Sequence, residues 1–235
     1  MNNPFDFFDA IFCINLNTRE DRWIKCVKQF KDLGIEQKVQ RFSACKIENR
    51  GNDSQKFLGK CGCSLSHFEI CKIAQEKKYK NYLVLEDDFE FILNKDTTFD
   101  LLTKLITEIP ANWDMCYLGA NFTDIYGIFP IENFSDNLFK LKACHTTHAI
   151  AFNEKFYNLF LENAPDINSI YNWTNNYEII DVFLNRYIFN NINCFINKIL
   201  ITTQYCDFSD IEQTVCNYVE HIEHNFNYFK SLIAK

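Results

Sequence analysis

A short apolar run that ends in three consecutive acids is the feature that most constrains this chain. Residues 82–85 are long enough for one buried strand, and Glu86, Asp87 and Asp88 follow them directly. Open α/β sheets bind ligands at the carboxyl ends of such strands. Adjacent carboxylates repel one another, so the cluster is best tolerated beside a cation. The segment predicts either an oxygen-lined site for Mg²⁺ or Mn²⁺ or a solvated acidic turn.

Strand and helix patterns alternate along the chain. An apolar strand over 10–14 is followed by a helical pattern that Thr18 can cap and Gly34 ends, then by a strand over 38–44. Polar residues with glycine over 47–60 predict a loop. The remaining predicted elements, in chain order, are a helix over 64–78, a helix over 99–109, strands over 115–118, 138–141 and 147–152, helices over 154–163 and 178–189, a strand over 200–203 and a terminal helix over 211–232. This order predicts an α/β fold with a mostly parallel sheet whose faces are covered.

Length, charge and composition exclude several classes of protein. The 235 residues fit one domain with one core, and the net charge of −7 argues against a nucleic-acid-binding face. No apolar run approaches the roughly 20 residues that a membrane span needs, and residues 1–14 lack the basic start of a signal peptide. The 11 cysteines are odd in number and fit reduced, mostly buried thiols. We therefore expect a cytoplasmic protein without a transmembrane segment or a nucleic-acid partner.

Glu86 and Asp88 have the spacing of a D-x-D pair. In extended geometry residues i and i+2 leave the same side of a strand, so Asp87 points away from the other two. In a nucleotide-sugar transferase such a pair holds a divalent ion, which offsets charge on the departing diphosphate. A metal-dependent phosphoesterase is an alternative, but it needs further acids or histidines near the strand ends, and the five histidines are dispersed.

Cys63, His67 and Cys71 fall at i, i+4 and i+8, with Cys61 just before them, which resembles the spacing of zinc ligands. Two helical turns separate the first from the last by roughly 12 Å, too far for both thiolates to reach one tetrahedral ion. We therefore favour a packed helix whose amino end faces the strand ends and suits a phosphate or hydroxyl group. His67 is then either a core histidine or a residue of the site.

Three further charged residues each have two interpretations. Arg19 and Arg22 lie in the first turn after the first strand, where they are either solvated or in contact with a nucleotide phosphate. Asp181 stands on an otherwise apolar helical stripe, so it is either a surface residue or an acid whose raised pKa suits it to act as a base.

Motifs in a fixed order along the chain carry a resemblance. They begin with Ile14-Asn15-Leu16, Arg19 and Asp21-Arg22-Trp23, continue with Gly62-Cys63-Ser64-Leu65-Ser66-His67 and Val84-Leu85-Glu86-Asp87-Asp88, and end with Trp113-Asp114, Tyr117-Leu118-Gly119, Thr147-His148-Ala149-Ile150-Ala151, Ile180-Asp181, Gln204 and Phe208-Ser209-Asp210-Ile211. This ordered set, from about residue 10 to 211, resembles glycosyltransferase family 25. That family includes bacterial lipooligosaccharide galactosyltransferases and the collagen hydroxylysine galactosyltransferases.

The resemblance implies a GT-A fold, in which a Rossmann-like, mostly parallel sheet is flanked by helices and joined to a C-terminal acceptor-side region. It implies one domain over 1–235, with a nucleotide-sugar-binding half over about 10–120 and an acceptor-side half over about 121–235. The implied donor is UDP-galactose or UDP-glucose with Mn²⁺ or Mg²⁺, and the acceptor is a hydroxyl of a glycan or glycoprotein. Transfer would invert the anomeric centre.

The resemblance also assigns roles to residues. It gives Glu86, Asp88 and His148 as metal ligands and Asp181 as the catalytic base. The donor-binding residues that it implies are Ile14, Asn15, Leu16, Arg19, Ser66, His67, Glu86, Asp87, Gln204, Ser209 and Asp210. The alternative function is a family-25-like module that binds a nucleotide or a glycan but has lost catalysis.

Overall fold

The computed structural model describes residues 3–125 and 127–233, so both ends of the predicted domain over 1–235 lie outside the described residues. Its strands are β1 Ala10–Asn15, β2 Val39–Ser43, β3 Asn81–Glu86, β4 Phe89–Phe91, β5 Met115–Tyr117, β6 Ile131–Asn133, β7 Leu138–Leu141, β8 Ala149–Asn153, β9 Cys194–Asn197, β10 Thr202–Gln204, β11 Asp207–Ser209 and β12 Thr214–Cys216. Its α-helices are α1 Glu20–Leu33, α2 Gln55–Lys77, α3 Lys95–Glu108, α4 Tyr157–Leu161, α5 Ile170–Tyr177, α6 Ile180–Phe183 and α7 Tyr218–Ile233.

An eight-stranded sheet organises the molecule, with the strand order β2-β1-β3-β8-β5-β9-β7-β6. β7 and β8 run opposite to the other six strands, so the predicted mostly parallel sheet is confirmed. β8 enters antiparallel between β3 and β5 and so joins the group β2-β1-β3 to the group β5-β9-β7-β6 in one sheet. β10 pairs with β4, and β11 with β12, in two short hydrogen-bonded pairs outside this sheet.

Helices cover both faces of the sheet at β1. Consecutive residues of a strand point to opposite faces. Ile11 and Cys13 accordingly pack in one core cluster with α1, whereas Phe12 and Ile14 pack in the other with α2. The two crossovers, from β1 to β2 through α1 and from β2 to β3 through α2, therefore lie on opposite faces.

None of the described helices combines the length and the apolar character that a membrane span needs.

The first helix differs from its prediction at the start but not at the end. α1 begins at Glu20 without a side-chain cap, so Thr18 is not its N-cap. The turn before it is closed instead by the Arg19 amide, which donates to the Leu16 carbonyl at 2.8 Å. Gly34 ends α1 in the left-handed conformation at φ 71°, as predicted.

The predicted loop over 47–60 is too long. α2 begins at Gln55, and Ser54 caps it by accepting a 3.1 Å hydrogen bond from the Phe57 amide. Glycine was interpreted as a loop signal, yet Gly59 and Gly62 both lie inside the helix, and Gly59 belongs to the predicted loop. A Cβ atom at Gly62 would lie 2.3 Å from the Cys45 carbonyl oxygen, so the glycine allows α2 to approach the chain that follows β2.

The C-terminal region contains more elements than predicted. The terminal helix starts at Tyr218 rather than at residue 211, because the β11–β12 hairpin occupies the residues before it. Strands β6 and β9 and helix α5 of this region were not predicted, nor was β4 in the N-terminal half, and three of these four elements are only three or four residues long. Short elements show too few periods for a pattern to be recognised.

Candidate active site

A cleft with a volume of about 270 Å³ lies where β1, β2 and β3 end. These three parallel strands bring their carboxyl ends to one edge of the sheet, and β1 lies between the other two. The chain order of the strands therefore reverses at β1, and open α/β sheets bind ligands at such a point. α2 and the β11–β12 hairpin provide the other walls.

One wall of the cleft is apolar. Ile14 and Leu16 contribute to it from the end of β1, Ile47 from the segment after β2, and Leu58 from α2. Lys46 adds an exposed cation beside them. Sequence analysis identified the first two residues but not the other three, since nothing local shows that the segment after β2 faces the strand ends.

Glu86 ends β3 and is held by two neighbours. Its Oε1 lies 2.8 Å from His67 Nε2 and accepts a 2.7 Å hydrogen bond from the Thr147 hydroxyl. Burial would raise the pKa of Glu86, but the contacts with His67 and Thr147 outweigh burial and lower it. Glu86 is therefore ionised at neutral pH. Sequence analysis quoted Thr147 in a motif but assigned it no role.

Asp87 points away from the other two acids, towards α1. Its Oδ1 accepts a 2.6 Å hydrogen bond from Arg22 Nη1, and its Oδ2 accepts one of 2.6 Å from the Asn15 side chain. Arg22 is 6% exposed and Asp87 8% exposed. The interpretation of Arg22 as a solvated charge is therefore wrong. It is a buried cation that also donates to the Phe208 carbonyl at 2.7 Å and so joins α1 to the hairpin.

Asp88 is the least compensated of the three acids. The Gln204 side-chain amide donates to its two carboxylate oxygens at 3.2 and 3.3 Å, and Arg22 is 3.9 Å away. Burial, followed by repulsion from Glu86 and Asp87, raises the pKa of Asp88 to about 7. At neutral pH this carboxylate is thus poised between its protonated and ionised forms.

Arg19 holds the β11–β12 hairpin to the start of α1. Its guanidinium forms ion pairs with Asp21 at 3.0 Å, Asp207 at 3.2 Å and Asp210 at 2.5 Å. These contacts occupy the side chain that sequence analysis expected to bind the donor. Asp210 itself lines the cleft together with Ser209, so the hairpin presents two predicted donor-binding residues.

Asp181 lies at the start of α6 and is half-buried. Its Oδ2 accepts a hydrogen bond from the Thr146 amide at 3.2 Å and lies 3.4 Å from His145 Nδ1, while its Oδ1 accepts from the Val182 amide at 2.8 Å. Burial would raise the pKa of Asp181, but these contacts outweigh burial and lower it, so the expected raised pKa is wrong. Asp181 also lies near Cys63, which lines the cleft. Burial raises the pKa of the Cys63 thiol most, and the charges of Glu86 and then Asp181 raise it further.

His148 is completely buried and stands outside the lining of the cleft. Its Nδ1 lies 3.1 Å from Thr146 Oγ1, and its Nε2 has no hydrogen-bond partner among the described residues. Burial lowers the pKa of His148 to about 4, which leaves the ring neutral. A Cβ atom at Gly119 would lie 2.7 Å from Nε2 and 2.1 Å from the Thr202 carbonyl oxygen, so the glycine makes room for the imidazole.

The predicted donor-binding residues divide into two groups. Those that line the cleft are Ile14, Leu16, Glu86, Asp87, Ser209 and Asp210. Those that the structure places behind the lining are Asn15, Arg19, Ser66, His67 and Gln204. Ser66, for example, donates to the Gly62 carbonyl at 2.7 Å and accepts from the Cys45 amide at 2.9 Å, so it fastens α2 to the segment after β2. The donor-binding roles of both groups stay predictions.

The cleft fits a hard divalent cation. Glu86 and Asp88 both line it, and their oxygen atoms are the donors that Mn²⁺ and Mg²⁺ prefer. Burial, and then repulsion from Glu86 and Asp87, raises the pKa of Asp88. A cation in the cleft would relieve that repulsion. The neutral ring and free Nε2 of His148 suit a metal ligand chemically, but its place as the third ligand stays a prediction because the ring does not line the cleft.

The chain is similar in sequence to glycosyltransferases. The chain is 30% identical over 129 residues to procollagen galactosyltransferase 1-B of Xenopus laevis, and 30% identical over 104 residues to a glycosyltransferase 25 family member of Drosophila melanogaster. These matches cover 48% and 35% of this chain but only 21% and 16% of the relatives, so the chain matches about a fifth of their length. No protein-family model matches the chain.

A solved structure has a similar fold over most of the chain. It is a glycosyltransferase involved in the glycosylation of the major capsid of PBCV-1, with a TM-score of 0.51 and 12% sequence identity. The superposition covers 92% of this chain and 98% of that one. The predicted GT-A-type fold and the resemblance of the sequence to family 25 are therefore confirmed.

Proposed function

We propose that this family-25-like chain is a metal-dependent glycosyltransferase that moves galactose or glucose from a UDP-sugar to a hydroxyl of a glycan or a glycosylated protein, with inversion. The observation that carries the proposal is the acidic cluster Glu86, Asp87 and Asp88, which lines a cleft at the strand ends where the strand order reverses. The names of the curated relatives support galactose as the sugar.

The walls of the cleft suit the parts of a nucleotide-sugar. Ile14, Leu16 and Ile47 offer an apolar surface. A uracil ring that packs on this surface is shielded from water. Lys46, on the same wall, supplies positive charge for a diphosphate. The β11–β12 hairpin, which also lines the cleft, offers the Ser209 hydroxyl to hydroxyl groups of the donor. A divalent ion held by Glu86 and Asp88 would offset the charge that develops on the departing diphosphate.

Asp181 is the base in this proposal. Its lowered pKa keeps it ionised at neutral pH, and its contacts with Thr146, Val182 and His145 fix its orientation. It accepts the proton of the acceptor hydroxyl while that oxygen attacks the anomeric carbon on the face opposite the diphosphate. The bond from the anomeric carbon to the diphosphate oxygen breaks, and UDP leaves with the electron pair.

The test is a donor screen with the purified chain. UDP-galactose, UDP-glucose, a GDP-sugar and a CMP-sugar are each incubated with and without Mn²⁺, and the released nucleotide is measured. We expect slow hydrolysis of a UDP-sugar that Mn²⁺ stimulates and a chelator abolishes, because water can take the place of the acceptor. The proposal would be contradicted if no UDP-sugar released nucleotide, or if the rate of release did not depend on Mn²⁺.

Replacing Asp181 with asparagine should separate binding from transfer. Loss of the base is expected to lower the transfer rate by about 10²–10⁴-fold, while UDP and Mn²⁺ still bind with unchanged affinity in calorimetry. Glu223→Gln, the same acid-to-amide change at an exposed position of α7, is the control and should leave both quantities unchanged. Transfer that survives in Asp181→Asn would remove this residue as the base.

One observation favours the alternative of a binding module without catalysis. Both carboxylate oxygens of Asp181 already have partners, and its pKa is lowered, which weakens it as a base. In that case the chain would bind UDP with Mn²⁺ but release no nucleotide from any UDP-sugar. Calorimetry and the donor screen together distinguish the two functions.

A further inference from the structure

We propose that Cys63, His67 and Glu86 form a site for a thiophilic divalent ion such as Zn²⁺ or Cd²⁺, and that this ion takes Glu86 away from the hard ion of the cleft. The sulfur of Cys63, a ring nitrogen of His67 and a carboxylate oxygen of Glu86 all lie within 4.8 Å of one another. The part of the inference that concerns competition with the hard ion rests on the proposed function. The part that concerns binding does not.

The three donors are set by two rigid elements. Cys63 and His67 are four residues apart on α2, so both project from the same face of the helix, and Glu86 ends the neighbouring strand β3. The Cys63 sulfur lies 4.0 Å and His67 Nε2 lies 2.8 Å from Glu86 Oε1. Bonds of about 2.0–2.3 Å to one tetrahedral ion need donor separations between these two distances, so small side-chain rotations suffice.

The composition of the site selects the ion. A thiolate and an imidazole favour Zn²⁺ and Cd²⁺ over Mn²⁺ and Mg²⁺, which prefer oxygen. Three protein ligands leave one coordination position open, and because Cys63 and Glu86 line the cleft, that position faces it. Binding replaces the thiol proton of Cys63, which passes to solvent, and the Nε2 proton of His67, which passes to Nδ1 or to solvent.

The sequence had suggested a different set of ligands. Cys71, two turns along α2 from Cys63, is buried and lies close to the Tyr82 hydroxyl rather than to the cleft. Cys71 is therefore not a ligand of this site. The missing third donor is Glu86, which lies 23 residues beyond Cys63 and reaches it only through the packing of α2 on β3.

Glu86 belongs to both sites, so the two ions compete for its negative charge. A divalent ion on Oε1 beside Cys63 and His67 would repel a second divalent ion at Asp88 and leave less carboxylate charge to hold it. Zn²⁺ or Cd²⁺ should therefore compete with Mn²⁺, although the two kinds of ion use different ligand sets.

Cadmium titration of the metal-free full chain tests binding without any need for activity. Cd²⁺ bound to a thiolate produces an ultraviolet charge-transfer band, and we expect this band to saturate at one ion per chain. Cys63→Ser should remove the band and weaken Cd²⁺ binding at least tenfold. Cys206→Ser, which changes an exposed cysteine, should leave both unchanged. If Cys63→Ser does not fold, as judged by circular dichroism, His67→Gln should weaken Cd²⁺ binding at least tenfold.

Competition is read from the paramagnetic resonance of Mn²⁺. Bound Mn²⁺ should be released as Cd²⁺ fills the site in the wild type, and Cys63→Ser should need at least tenfold more Cd²⁺ for the same release. A charge-transfer band that persists without Cys63 would overturn the site, and Mn²⁺ that stays bound at saturating Cd²⁺ would overturn the competition. Failure of the donor screen would leave the cadmium titration unaffected, so the two proposals fail separately.

Discussion

Replacing Arg22 with methionine is expected to lower the free energy of unfolding by about 3–5 kcal/mol, because it leaves a buried carboxylate without its cation. Arg22 and Asp87 are both nearly inaccessible to solvent and are joined by a hydrogen bond of 2.6 Å. Methionine keeps most of the aliphatic volume but supplies no donor. The Phe208 carbonyl would lose its hydrogen bond as well, so the β11–β12 hairpin should loosen.

Urea unfolding followed by circular dichroism measures this loss. Lys28→Met on the same helix is the matched control, because Lys28 pairs with Asp32 in an exposed ion pair, and it should change stability by less than about 0.5 kcal/mol. Adding Asp87→Asn to Arg22→Met should restore part of the stability, since the unpaired charge is then gone. An Arg22→Met chain as stable as the Lys28→Met chain would show that the buried ion pair contributes little.

Replacing Asp88 with asparagine should stabilise the metal-free chain and abolish its response to metal. The folded-state pKa of Asp88 is raised to about 7, whereas an unfolded aspartate titrates near its ordinary value. Between those two values the folded state binds more protons than the unfolded state, so the contribution of Asp88 to stability falls as pH rises. At pH 8 asparagine avoids this cost and should be more stable by about 2–4 kcal/mol, at about 1.4 kcal/mol per pKa unit. Below pH 4 the two chains should be nearly equal.

Thermal unfolding with and without Mn²⁺ measures the second effect. Mn²⁺ at one hundred times its Kd should stabilise the wild type by about 2.7 kcal/mol and leave Asp88→Asn unchanged. Turnover of UDP-sugar should fall by more than about 10³-fold in the variant, because charge on the leaving diphosphate is no longer offset. Glu90→Gln, an exposed acid-to-amide change on β4, is the control. A Tm shift by Mn²⁺ that persists in Asp88→Asn would exclude Asp88 as a metal ligand.

The parts of the fold that the sequence predicted are those with a local signal. The strand before Glu86 is a run of apolar residues, and Gly34 ends α1 because a left-handed residue is required there. The start of α2 was missed for the opposite reason. Gly59 looked like a loop residue, but it lies in α2, where a Cβ atom would come within 3.2 Å of the Ile211 Cα atom, a contact that no local pattern shows.

By itself the sequence determined the α/β order of elements, the position of the acidic cluster at a strand end, and the resemblance to family 25. Only the tertiary structure decided which acid has which partner: Asp87 is neutralised by Arg22, Glu86 is oriented by His67, and Asp88 is left with a raised pKa. The physical reason is that periodicity is a property of neighbours along the chain, whereas the charge state of a carboxylate depends on burial and on partners that lie up to 116 residues away.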